Sequence, residues 1–151
     1  MKINELLRYN GSIVRVLELR DDQALVIDCQ KRHMPSWVPA APLEQCESTD
    51  KSELCSAVDV RLRPLDSLST TERKICRERY SIIAPVLPFI GDERRRTEMI
   101  YEAAERFNIS KQTVRKYLCL YLSFQDEAVF APPEQKERQL TKDEKKYQVG
   151  T

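Results

Sequence analysis

Between Ile100 and Cys119 the chain reads Ile-Tyr-Glu-Ala-Ala-Glu-Arg-Phe-Asn-Ile-Ser-Lys-Gln-Thr-Val-Arg-Lys-Tyr-Leu-Cys. These are two amphipathic segments joined by a break short enough to force a tight corner. Ile100, Ala103, Ala104 and Phe107 recur at helical spacing and so share one face. The two alanines are small, as a close and steep helix crossing requires. Asn108 stands where a left-handed residue ends a helix, Ile109 plugs the corner, and Ser110 is a good N-cap for a second helix. Val114, Tyr117 and Leu118 predict the buried stripe of that second helix. Its other side carries Lys111, Gln112, Thr113, Arg115 and Lys116, all able to reach a phosphate or a base edge. The pattern is that of a helix-turn-helix. The plainer reading is a helical hairpin with a solvated polar face. Spacing, small residues, turn chemistry and a cationic second helix together favour DNA.

Charge over the whole chain says little, since the formal net charge is +1 across 151 residues. Locally it says more. From Arg94 to Tyr121 seven basic and three acidic side chains leave a balance of +4, and charge on one module governs docking more than the chain total does. No apolar run is long enough for a membrane span and the N-terminus does not read as a signal peptide. The five cysteines are odd in number and scattered, which fits free thiols in a reducing cytoplasm. Cys29 and His33 are close in sequence, but no Cys-x-x-Cys pair completes a common zinc site.

Taken in order, the chain is expected to be α+β, a small N-terminal β-meander of SH3-like form followed by a three-helix helix-turn-helix domain. Met1 to Tyr9 reads as a short helical or extended lead-in that packs Leu6 and Leu7 onto the residues after it. Ser12–Leu19 and Ala24–Cys29 are strand-like and separated by the polar turn Arg20-Asp21-Asp22-Gln23, so they predict a hairpin. Met34–Pro39 reads as a third, edge strand with proline near each end. Trp37 is expected to anchor the core of this module, and His33 to lie on the surface. The β module is placed at 1–45, a linker at 46–68 with a short helix near Glu53–Val60, the helical domain at 69–124, and a tail from 125 to 151. Ser69 with Glu72 forms a capping-box pattern that starts a helix through Ile75, Cys76, Tyr80 and Ile83. Its surface residues Arg73, Lys74, Arg77 and Arg79 form either a solvated face or a backbone contact. Asp92 caps the helix carrying Arg94 to Phe107. Arg94, Arg95 and Arg96 oppose the dipole at that helix's first turn, which an external phosphate would relieve. Tyr121, Leu122 and Phe124 are expected to close the helical core. Glu134–Tyr147 is charged and almost free of apolar residues, as a tail or interdomain linker is. With no packing element before Thr151, the chain reads as a piece of something longer.

The order of these features resembles the N-terminal, DNA-binding portion of a bacterial Mu-type transposase of the TnsB-like branch, in the retroviral-integrase superfamily. The resemblance rests on a β module that opens Leu6-Leu7-Arg8-Tyr9-Asn10-Gly11 and ends Trp37-Val38-Pro39. A helix with Arg77-Glu78-Arg79-Tyr80 and Ile82-Ile83-Ala84-Pro85 comes second. The helix-turn-helix with Ile109-Ser110-Lys111-Gln112-Thr113-Val114-Arg115-Lys116-Tyr117-Leu118 comes next, and then a proline-containing exit. The resemblance implies recognition of transposon ends, double-stranded DNA as partner, other transposase subunits as further partners, and a role in DNA recombination. In that family a later RNase-H-like domain cuts and joins DNA with two aspartates and a glutamate on Mg2+. Asp126, Glu127, Asp143 and Glu144 do not match that pattern, so no catalytic residue, metal ligand or cofactor is carried over. The chain as given is expected to bind DNA without acting as an enzyme. Arg94, Arg95, Arg96, Ser110, Lys111, Gln112, Thr113, Arg115 and Lys116 are its candidate DNA-binding residues. Two other classes fit the same pattern: a stand-alone helix-turn-helix transcriptional regulator, and a protein-interaction module without DNA contact.

Overall fold

The computed structural model describes residues 1–133, so the expectation for Glu134–Tyr147 lies outside the described residues. The chain is α+β, an antiparallel sheet followed by helices. Strand β1 is Leu6–Tyr9, β2 Ser12–Arg20, β3 Gln23–Asp28 and β4 Ser36–Pro39; α1 (Ala40–Glu44) and β5 (Ser48–Thr49) come next. The sheet order is β4-β3-β2-β1-β5. The lead-in therefore ends in a strand. Asn10 and Gly11 have φ of 49° and 77°, the left-handed pair that a two-residue hairpin turn needs, and they set Tyr9 opposite Ser12. Asp21, at φ 53°, begins the next two-residue turn, which sets Arg20 opposite Gln23.

Strand β2 is buried on both faces from Ile13 through Leu17. Leu7, Val14, Val16, Ala24 and Val26 pack on one side under Ala40 and Leu43 of α1. Leu17, Leu25 and Ile27 face the helices. The register shifts between Val16 and Glu18, and this bulge sets Glu18 opposite Leu25, on the helical side, as well as sharpening the twist. Arg15, only 6 % exposed, projects from the helical face of β2. Its Nε donates to the carbonyl of Ser123 at 2.7 Å and its Nη1 to that of Asn4 at 2.6 Å.

The segment expected to link two modules is itself structured. It contains β5 and α2 (Lys51–Val58), whose Leu54 is fully buried. Leu54 packs with Leu6, Ile13 and Phe124, so Phe124 lies against the sheet and not in the helical core assigned to it. The long helices are α3 (Thr70–Ile83), α4 (Glu93–Phe107) and α5 (Lys111–Phe124). Ser69 and Glu72 form the full reciprocal capping box, and Asp92 accepts from the Arg95 amide at 3.1 Å. One buried cluster joins Leu17, Leu25 and Ile27 of the sheet to Leu68, Cys76, Ile83, Ile100, Val114 and Leu118. The main core thus runs across the boundary drawn between 1–45 and 69–124.

Beyond α5 the chain stays packed. A 3-10 turn, Glu127–Phe130, buries Ala128 and Phe130. Phe130 meets Tyr117 edge-on at 5.6 Å and stacks on Tyr121 at 6.3 Å. Ala128 and Phe130, expected in a tail, are therefore core. Phe107, expected on the buried face of α4, is 36 % exposed at that helix's last position.

Candidate nucleic-acid interface

The corner between α4 and α5 is built from three residues. Asn108 adopts φ 54° and ψ 49°, and its amide donates to the carbonyls of Ala104 and Glu105. The Ile109 amide donates to the Ala104 carbonyl at 3.0 Å, which completes a Schellman-like stop. Ser110 then caps α5 by accepting from the Thr113 amide at 3.1 Å. The two hydroxyls of Ser110 and Thr113 lie 2.9 Å apart. Both residues of the candidate set are thus engaged in the cap, and Thr113 is half-buried.

The outer face of α5 begins with Lys111, Gln112 and Lys116, all exposed, with Arg115 half-buried beside them. No acidic residue lies in the first turn of α5. Among the described residues, Lys111, Arg115 and Lys116 have no carboxylate within ion-pair distance; Lys111 Nζ instead rests 3.9 Å from the centre of the exposed Tyr101 ring. This cationic patch is set against the positive end of the helix dipole, so it gains from any anion brought to it.

The first turn of α4 is arranged differently. Arg94 Nε and Arg95 Nε lie 3.5 Å and 3.8 Å from the two oxygens of one carboxylate, Glu98. The Arg95 guanidinium also sits 4.8 Å over the Phe89 ring. Arg96 is a correction to the candidate set. It is 6 % exposed, and its Nη1 donates to the Ile90 carbonyl at 2.8 Å and to the Pro35 carbonyl at 3.4 Å. Burial lowers its pKa, partly offset by Glu93 and Asp92. Its position four residues before Ile100 and seven before Ala103 puts it on the buried stripe of α4, so it is not available to a partner.

Neighbouring contacts fix this end of α4 to the sheet. Trp37, expected to anchor the β module's own core, is half-buried and instead ties β4 to the helical layer. It packs on the cluster shared with the helices and its Nε1 donates to the Gly91 carbonyl at 2.9 Å, while Arg20 stacks on the indole at 4.6 Å. A Cβ at Gly91 would lie 2.5 Å from Glu18 Oε2 and 3.2 Å from Trp37 Cζ2, so a side chain here would oblige the Glu18 carboxylate to move. Of the cations on α3, Arg79 donates to the Phe130 carbonyl at 2.8 Å, while Arg73, Lys74 and Arg77 are exposed.

Sequence reasoning missed one participant. Arg32, from the loop between β3 and β4, lines a cleft of about 290 Å3 together with Gln112, Thr113, Arg115, Lys116 and Cys119 of α5. The basic run Lys31-Arg32-His33 was visible, but its proximity to α5 arises only from the fold. The Cys119 thiol at this seam is pushed up to about 11 by burial, against the opposing pull of Arg32 and Arg96.

Among the described residues no helix is long and apolar enough to cross a membrane, and no group of three or more His, Cys, Asp or Glu is placed to hold a metal ion. No protein-family model matches the chain, and no curated protein matches it significantly.

Proposed function

We propose that this chain binds duplex DNA as the end-recognition part of a bacterial Mu-type transposase of the TnsB-like branch. In this reading α3, α4 and α5 act as a three-helix helix-turn-helix domain, and the sheet as an SH3-like support. The observation that carries it is the start of α5, where Lys111, Gln112 and Lys116 are exposed on a helix that carries no acidic residue. A major groove about 12 Å wide accepts a helix about 10–12 Å across. Gln112 and Arg115 then meet base edges, and Lys111 and Lys116 meet phosphates. Arg94 and Arg95 lie roughly 20 Å from the corner, at 1.5 Å per residue along α4, and reach the backbone at the groove's edge. The reading assigns binding to this chain and no strand cleavage.

Fluorescence anisotropy on duplexes carrying the element's ends, and on scrambled duplexes, tests it. With roughly four to six phosphates neutralised, log affinity should fall against log salt with a slope of about −4 to −5. Affinity that stayed flat across salt, or no binding to any duplex, would overturn the proposal. A stand-alone regulator would use the same face, and end DNA against a promoter-like target separates the two. The protein-interaction alternative draws on a different surface, a cleft of about 440 Å3 between Pro85, Met99, Ala103 and the exposed Phe107.

A further inference from the structure

We infer that the loop between β3 and β4 is a second DNA-contacting segment, placing Lys31 and Arg32 on the phosphate backbone that rims the groove occupied by α5. The inference rests on the DNA-binding reading above and extends it from the helices to the sheet. A basic loop by itself is usually a solvated one. Three features of this loop separate it from that default.

The first is that both helices hold the loop in place. The Cys119 thiol of α5 donates to the His33 carbonyl at 3.6 Å. Arg96 of α4 donates to the Pro35 carbonyl at 3.4 Å. On the sheet side the loop's start is pinned as well. The Gln30 amide donates to Asp28 Oδ1 at 3.0 Å, and Gln30 Oε1 accepts from the Ile13 amide at 2.8 Å. A segment fixed at several points loses little further entropy when it meets a ligand.

The second is exposure. Lys31, Arg32 and His33 are all exposed between those anchor points, and among the described residues neither Lys31 nor Arg32 has a carboxylate within ion-pair distance. The third is the cleft itself. Arg32 forms one wall, Arg115 and Lys116 the other, and no lining residue is acidic. Like charges facing one another across a cleft repel unless an anion lies between them. The anion that also suits α5 is a backbone phosphate beside the groove. DNA seated on α5 would present one on this side, where the loop stands next to the helix. The buried Arg96 thereby acquires a role at one remove: it positions the loop that displays the contacting cations.

The test uses the full chain and its Lys31→Gln/Arg32→Gln double variant. Both side chains are exposed, so the variant should keep the wild-type circular-dichroism melt. Anisotropy across a salt series should give a slope less negative by about 2, at roughly 0.9 for each phosphate no longer neutralised. Affinity at low salt should fall about tenfold or more, equally for end and scrambled duplexes. Hydroxyl-radical footprinting should lose protection at a backbone stretch beside the α5 footprint while the central protection remains. An unchanged slope and footprint in a variant that binds would overturn the loop's role and leave DNA binding by α5 standing. Absence of binding by the wild-type chain would overturn both.

Discussion

The first turn of α4 and the first two turns of α5 carry three cations each and use them in opposite ways. In α4, Arg96 turns inward onto two backbone carbonyls, and Arg94 and Arg95 share the carboxylate of Glu98. In α5, Lys111, Arg115 and Lys116 have no such acidic partner among the described residues, and the helix holds no acid. The difference comes from position on the helix. Arg96 falls on the stripe of Ile100 and Ala103, which faces the sheet, whereas Lys116 falls opposite Val114 and Leu118; Lys111 has the phase of that stripe but stands at the first position of α5, where it is exposed. A cation's availability to a partner is therefore set by its phase on the helix, by its distance from the helix end and by nearby carboxylates, and a local charge total measures none of these. One turn fixes the helix to the sheet, and the other stays available.

The most severe way to break this comparison is to remove the sheet to which both helices are tied. A fragment covering 66–127 lacks Leu17, Leu25, Ile27 and Phe130 of the shared cluster. Its circular-dichroism melt should lose cooperativity. A sharp, near-native melt would mean that the helices fold alone and that the cross-boundary packing contributes little. Next in size is Arg96→Ala, which leaves two carbonyls without their donor and a cavity behind. It should lower stability by about 2–4 kcal/mol in urea unfolding, against about 0.5 kcal/mol or less for the exposed Arg94→Ala. Equal losses at the two positions would erase the distinction between the anchored and the paired cation.

On DNA, Gln112→Ala or Arg115→Ala should reduce discrimination between end and scrambled duplexes by about 1–3 kcal/mol. Arg94→Ala or Arg95→Ala should weaken all duplexes alike, and less. A specificity change at Arg94 with none at Gln112 would reverse the roles given to the two helices. The smallest effect concerns the thiol between them. Cys119 is raised from 9.0 to about 11 in the folded chain by burial, so the folded state resists its ionisation. Its contribution to stability is complete below pH 9 and is lost as pH rises from 9 through 11, amounting to roughly 1 kcal/mol by pH 10. Denaturant midpoints measured at pH 8 and pH 10 on the wild type and Cys119→Ser should show a smaller pH difference in the variant. Identical differences would place the thiol outside the seam.

What could be read from sequence was mostly what is local. The capping box at Ser69, the caps at Asp92 and Ser110 and the left-handed Asn108 all depend on residues within four positions of one another, and all are present. The hairpin of β2 and β3 was legible for the same reason. Two further local signals point the right way against the reading given to them. Asn10-Gly11 between Tyr9 and Ser12 is a strong hairpin signature, yet residues 1–9 read as a lead-in. Arg96 shares the helical phase of Ile100, yet three consecutive arginines looked alike. Other features had no local signal. Phe130 comes after a polar stretch and precedes two prolines, and only the rings of Tyr117 and Tyr121 make it core. Lys31 and Arg32 lie some eighty residues from α5 in sequence, and only the sheet's docking brings that loop beside the helix.

The Arg15 contact has a consequence in time. Its guanidinium meets a carbonyl 108 residues away, at the far end of the last long helix. At about 5–20 residues per second of synthesis, the strands, the last of which ends at Thr49, are complete roughly 4–15 seconds before that carbonyl exists. Throughout that interval the sheet shows water the face carrying Leu17, Leu25 and Ile27. An exposed apolar face of that kind invites association with a second nascent chain, and a charge within the face adds a desolvation cost to burying it there. Arg15 keeps a hydrated cation in the middle of that face until α5 arrives. The same side chain then ties the finished helix to the strand.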